Sequence, residues 1–206
     1  MTAASRPDPS ALLRLARAGD DEALGLLLEM YRPYLTLLAR VQIGRRLRGK
    51  AGASDVVQDA FLGAHRDFGQ FRGETEGEFL AWLRQVLASV LANFIRHYQG
   101  TKRRDVRLER QLAAELEQSS QALDRSLVAP NTGPEGHAER REQSVLLAEA
   151  LARLAEADRE LLVLRHLEGL SFPEVARRLG RTLDSVKKRW PRALVRLRQA
   201  FEGDEP

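Results

Sequence analysis

The chain contains no cysteine. That excludes disulfides and thiolate metal sites, and it fits a reducing compartment. Aromatic residues are scarce at 6%, and β-branched alternation is absent, so nothing in the chain reads as a strand. Leu, Ala, Arg and Glu dominate instead, which favours helix. No run approaches the roughly 20 apolar residues of a membrane span, and the opening MTAASRPDPS lacks the apolar core of a secretion signal. The expectation is a cytoplasmic protein with no membrane insertion. His65, His97, His137 and His166 are scattered, with no metal-ligand spacing and no paired carboxylates around them. The chain therefore offers no catalytic or metal constellation, and no cofactor is implied.

What is present is basic charge in clusters. Net charge is only +4, so its distribution says more than its sum. Arg40, Arg45, Arg46, Arg48 and Lys50 form one run. Lys102, Arg103, Arg104, Arg107 and Arg110 form a second, diluted by Asp105 and Glu109. Lys187, Lys188, Arg189, Arg192, Arg196 and Arg198 form a third, opposed by Asp184. One such stripe alone is a solvated helix face; three of them point to nucleic acid.

The organisation reads as two small all-α domains joined by a flexible linker. Residues 1–10 are expected to be a disordered tail, 11–118 a first helical domain, 119–137 the linker, 138–201 a second domain, and 202–206 an acidic tail. The linker rests on Pro130, Pro134 and the Asn-Thr-Gly between them. In the first domain, Gly19-Asp20 should separate two helices, and Pro33 should kink or divide the second. SDVVQDAFLGAHRDF reads as a helix capped by Ser54, with Val56, Val57, Ala60, Phe61 and Ala64 as its apolar stripe. GQFRGETEG is a loop. The helix EFLAWLRQVLASVLANFIRHY follows, with Phe79, Leu83, Val86, Leu87, Val90 and Phe94 along one side.

The most specific signal is SFPEVARRLGRTLDSVKKR. Ser171 and Glu174 have capping-box spacing, Leu170 and Val175 hold the staple positions, and Pro173 falls in the first turn. Gly180 supplies a left-handed residue, and Thr182 can cap the next helix. Ala176 and Val186 face one another across a close crossing. This is the spacing of a helix-turn-helix, the C-terminal domain's expected fold, and its second helix is the one rich in Lys and Arg. Val186, Ala193, Leu194 and Leu197 form that helix's expected buried stripe, with Trp190 more at home in the core than on DNA. Pro191 should bend it between Lys187 and Pro191.

The segment LARLAEADRELLVLRHLEGLSFPEVARRLGRTLDSVKKRWPRALVRLRQAF resembles region 4 of bacterial RNA polymerase sigma factors. SDVVQDAFLGAHRDF and FLAWLRQVLASVLANFIRH resemble the clamp-docking and promoter-melting helices of region 2. Both modules in this order, with no region 3, resemble the extracytoplasmic-function (ECF) group. The resemblance implies core RNA polymerase and promoter DNA as partners; an anti-sigma factor is common in the family, though no residue here requires one.

It also implies roles for particular residues. Asp55, Val56, Gln58, Asp59 and Phe61 would bind polymerase. Gln70, Phe71, Arg72, Trp82, Ser89, Asn93 and Arg96 would serve −10 recognition and melting, with Phe71 and Arg72 at a flipped-out base; a loop anchor is the equal reading of Phe71, and a core position that of Trp82. Arg181, Thr182, Asp184, Ser185, Lys187, Lys188, Arg189 and Arg192 would contact −35 DNA. The chain departs from the family at Ser89 and Asn93, where relatives usually carry Asn and Asp, and at Pro191. A response-regulator-type activator is the other reading of the C-terminal motif. It would need a receiver domain of alternating strands and helices upstream.

Overall fold

The computed structural model describes residues 7–46, 52–99, 106–126 and 137–203, and the side chains of all of these except 99, 124–126 and 137–141. Among the described residues there are helices and no strand. The chain divides into two compact units between Gln118 and Ser119.

In unit 1, α1 (Pro9–Arg17), α2 (Asp21–Arg46), α3 (Ala53–Asp67) and α4 (Glu76–Gln99) pack on one another. α1 begins earlier than the expected tail allows. Asp8 is its N-cap, accepting from the Ser10 amide at 3.0 Å, and Pro9 opens the first turn. An Asp cap followed by a proline is a start signal that a polar N-terminus disguises. Gly19 takes φ +98°, and Asp20 accepts from the Ala23 amide at 2.9 Å, so the expected break between α1 and α2 is where the chain turns. Pro33 does not divide α2, which is helical throughout and buries Leu27, Tyr31, Leu35 and Leu38 along one face. α3 starts at Ala53 with Gly52 as N-cap, so Ser54 lies inside the helix and caps nothing.

α4 is the core helix. Phe79, Leu80, Leu83, Leu87, Leu91 and Ile95 are its buried line. Phe79, Leu83 and Leu87 are those expected, whereas Val86, Val90 and Phe94 are only half-buried at its flank. By length and composition α4 could cross a membrane, contrary to expectation. Half of that stretch is buried inside the protein, however, and Arg84 within it donates to the Tyr34 hydroxyl at 3.0 Å and pairs with Glu117 at 2.7 Å. These are the marks of a core helix.

α5 (Val106–Ser126) is continuous across the division between the units. Residues 119–126 are therefore helical, where a linker was expected from 119. Leu112, Leu116 and Leu123 are buried, as are Ser119 and Ser120, so the apolar period carries on beneath a polar composition. Pro130 and Pro134 lie outside the described residues.

Unit 2 holds α6 (His137–Arg153), α7 (Glu156–Leu162), α8 (Phe172–Leu179) and α9 (Leu183–Glu202). α7 widens into a π-helical stretch over Val163–Leu167, closed by the Glu168 amide on the Val163 carbonyl at 3.1 Å. The core consists of Leu151, Leu161, Leu164, Val175, Ala176, Val186 and Ala193 among others. α9 remains helical on both sides of Pro191.

Candidate nucleic-acid interface

The α8–α9 hairpin is built by its caps. The Ser171 amide and hydroxyl both donate to the Glu174 carboxylate, at 2.8 and 2.5 Å. These bonds, that of the hydroxyl first, hold the Glu174 carboxyl below its usual range. At the other end of α8, Gly180 adopts φ +60°. Its amide returns to the Arg177 carbonyl at 3.3 Å and the Arg181 amide to the Ala176 carbonyl at 2.9 Å. This pair of bonds is a Schellman turn, which any residue with a Cβ would strain. Thr182 then caps α9 by accepting from the Ser185 amide at 3.2 Å. Ala176 and Val186 are buried where the two helices cross.

This frame leaves the first turns of α9 open. Arg181, Thr182, Asp184, Ser185, Lys187, Lys188, Arg189 and Arg192 are all exposed. Asp184, Lys188 and Arg189 among them form ion pairs. Lys188 pairs with Asp184 at 2.9 Å, both largely solvated, an interaction worth about 0.2–1 kcal/mol that DNA can displace. Arg189 is different. Its Nε donates to Asp158 Oδ1 at 2.5 Å, and Arg196 donates to Asp158 Oδ2 at 2.5 Å. Asp158 is fully buried. Burial pushes its carboxyl up, but the two guanidiniums outweigh that and hold it below the usual carboxylate range. The sequence reading put Arg189 on DNA and passed over Asp158. A carboxylate in the first turn of a helix looks like a dipole partner until a residue 31 positions away is seen to reach it.

Trp190 is half-buried, with ring centroids 5.1 Å from His166 and 5.4 Å from Phe172. Partial burial, then the neighbouring Arg165, lowers the His166 pKa below its ordinary value. Leu194 corrects the expected buried stripe. It is 37% exposed beside Val195, on an open groove with Leu147, Leu197 and Phe201.

In unit 1 several motif positions turn out to be core. Val56 and Phe61 are buried, so neither can face a partner; Arg32 lies 4.6 Å over the Phe61 ring. Asp55, Gln58 and Asp59 are exposed on the opposite face of α3, with Gln58 accepting from Arg32 at 3.2 Å. Leu62 completes that face at 62% exposure. The sequence reading missed it, although an apolar residue out of phase with the stripe was the available signal.

Phe71 is also buried. Its ring packs against Trp82 (5.3 Å), Phe79 (5.7 Å) and Phe68 (5.9 Å). It anchors the loop and is not available to a base. Gly73 is needed there, because a Cβ would come within 2.4 Å of the Phe71 ring. Glu78 accepts from the Glu74 and Thr75 amides at 2.9 and 3.0 Å, closing the loop onto α4. Gln70 and Arg72 are exposed, Arg72 donating to the Gly69 carbonyl at 2.8 Å. Trp82, Ser89, Asn93 and Arg96 recur at 7, 4 and 3 positions and share one face of α4, half-buried except for the exposed Asn93, which accepts from Arg96.

Of the basic clusters, the third is on the open face of α9. Arg46, from the first, pairs with Glu115 at 2.5 Å. Arg48, Lys50, Lys102, Arg103 and Arg104 lie outside the described residues.

Two family models match the chain. Sigma-70 region 2 covers residues 30–101, and Sigma-70 region 4 covers residues 144–197. RNA polymerase sigma factor NccH of Alcaligenes xylosoxydans xylosoxydans is 29% identical over 96% of this chain and 98% of its own length. ECF RNA polymerase sigma factor SigD of Mycobacterium tuberculosis is 30% identical over 91% of this chain and 81% of its own. A solved chain of the RsbN–BldN complex is 26% identical over 91% of this chain and 97% of its own, with a TM-score of 0.32. Region 2 occupies the place where an activator would carry a receiver. The chain belongs to the ECF group of RNA polymerase sigma factors, which act with core RNA polymerase and promoter DNA to direct promoter-specific transcription initiation.

Proposed function

We propose a division of labour within this sigma factor. The first two turns of α9 enter the major groove of the −35 element. Arg181, Thr182, Asp184, Ser185 and Lys188 reach base edges there, while Lys187 and Arg192 hold phosphates. One observation carries this reading. The Schellman turn and the Thr182 cap fix a helix that buries only Val186 and Ala193, so its polar side chains stand open on a rigid support. On α3, the face of Asp55, Gln58, Asp59 and Leu62 docks on core polymerase. Its two carboxylates around an exposed leucine suit a basic, apolar-centred partner helix. Gln70, Arg72, Trp82, Ser89, Asn93 and Arg96 line the path of the unpaired −10 strand. The chain works in the cytoplasm, catalyses nothing itself and needs no cofactor. BldN is known in complex with RsbN, and a protein that sequesters this chain, an anti-sigma factor, is the corresponding partner here.

Co-purification with core enzyme and run-off transcription test the division. Asp59→Arg should abolish core binding. Lys188→Ala should keep core binding and lose −35-dependent initiation, and Lys187→Ala should flatten the salt dependence of promoter binding by about one ion. Loss of core binding in Lys188→Ala, or an unchanged salt slope in Lys187→Ala, would overturn the assignment.

A further inference from the structure

We propose that Asp158 is a positioning residue for promoter recognition: it withholds Arg189 and Arg196 from DNA phosphates and so makes binding depend on the base-reading turns of α9. The proposal rests on the −35 reading of α9 and goes beyond it, since Asp158 lies on α7 and is fully buried.

The geometry carries the inference. Each carboxylate oxygen takes one guanidinium, Oδ1 that of Arg189 and Oδ2 that of Arg196, both at 2.5 Å. The two arginines are seven residues apart and straddle Pro191. Proline has no N–H, and its ring crowds the carbonyl of Lys187, so the ladder of α9 is weakest just where reading gives way to packing. Asp158 ties the turn before that point and the turn after it to the same place on α7. The register of the reading turns is then set by the domain and not by the helix backbone alone.

The charge argument is independent of the geometry. α9 carries six cations, Lys187, Lys188, Arg189, Arg192, Arg196 and Arg198. Each cation free to meet a phosphate adds affinity without sequence information. The Lys188–Asp184 and Arg198–Glu202 pairs are largely exposed and readily exchanged for phosphate. The two guanidiniums are 43% and 54% exposed, but their partner carboxylate is fully buried, so this tie is screened less than the two surface pairs and competes better with phosphate. A residue serving only the α7 dipole would instead be solvated.

The test uses the holoenzyme and a promoter duplex mapped by run-off transcription, compared with the same duplex carrying a scrambled −35 hexamer, across a KCl series. The wild type should prefer the intact duplex. In Asp158→Asn that preference should fall about tenfold, binding to the scrambled duplex should hold or rise, and the salt slope should steepen by about 1–2 for two released arginines. Asp158→Glu should recover most of the preference. Arg196→Gln keeps the Asp158–Arg189 bond and adds no cation; it should lower the preference by a smaller factor with no steepening. Equal weakening on both duplexes at an unchanged slope would mean that Asp158 only maintains the fold, and would overturn the proposal. So would a wild-type preference in Arg196→Gln, which also decides the matter should Asp158→Asn fail to fold. A wild type indifferent to the −35 hexamer would instead overturn the reading of α9 itself.

Discussion

α2 and α9 are both long helices with an internal proline, and they are held in place by different means. α2 buries 13 of its 26 residues, and Pro33 sits in a helix gripped along its length by unit 1. α9 buries two of its 20. A helix that must offer its side chains to DNA cannot also spend them on a core. Its position is set by directed bonds: a Schellman turn, a threonine cap, and one buried carboxylate on two arginines. The same contrast separates the units. In unit 1 even motif positions such as Val56, Phe61 and Phe71 are taken up by packing, whereas in unit 2 polar groups supply the precision.

The contrast can be broken by unfolding experiments, because Trp82 reports on unit 1 and Trp190 on unit 2. Phe79→Ala removes the ring at the centre of the unit 1 aromatic cluster and should cost about 3–5 kcal/mol in urea unfolding followed by Trp82. A cost below about 1 kcal/mol would mean unit 1 is not held by burial. Pro191→Ala restores a helix donor and should stabilise unit 2 by up to about 3 kcal/mol, read from Trp190. No gain would show that the Asp158 tie already offsets the proline in full. Asp158→Ala should destabilise unit 2 by about 1–3 kcal/mol. A wholly buried pair would lose more, but both guanidiniums are about half exposed.

A smaller effect follows from acid. The Asp158 carboxyl titrates lower in the folded protein than its ordinary value of 3.8. Its stabilisation is therefore complete above about pH 4 and is lost as pH falls through the folded value. Unit 2 should lose stability below pH 4, and Asp158→Asn should flatten that loss; an identical acid profile in the variant would contradict the tie.

The helix-turn-helix was legible because its determinants are local. Ser171 and Glu174, Gly180, and Thr182 act within one turn of themselves, and each does in the structure what its spacing implies. The all-helical fold was legible from period and composition. What was not legible depends on phase or distance. Phe71 looks like a base contact until its loop tucks the ring against Trp82, Phe79 and Phe68, and Leu62 shows in the sequence only as an apolar residue out of phase with the stripe of α3. Asp158 meets its partners 31 and 38 residues away, which no local pattern encodes. The N-terminal Asp-Pro-Ser was a helix start written in tail-like residues.

The central claim is that α9 reads the −35 element for a polymerase held elsewhere on the chain. It is tested most directly by run-off transcription from two mapped promoter fragments that differ only in the −35 hexamer, using core enzyme with the wild-type chain or with Lys188→Ala. The wild type should initiate strongly on the intact fragment and weakly on the altered one, and Lys188→Ala should be weak on both while still binding core. Equal transcription from both fragments by the wild-type chain would contradict the account.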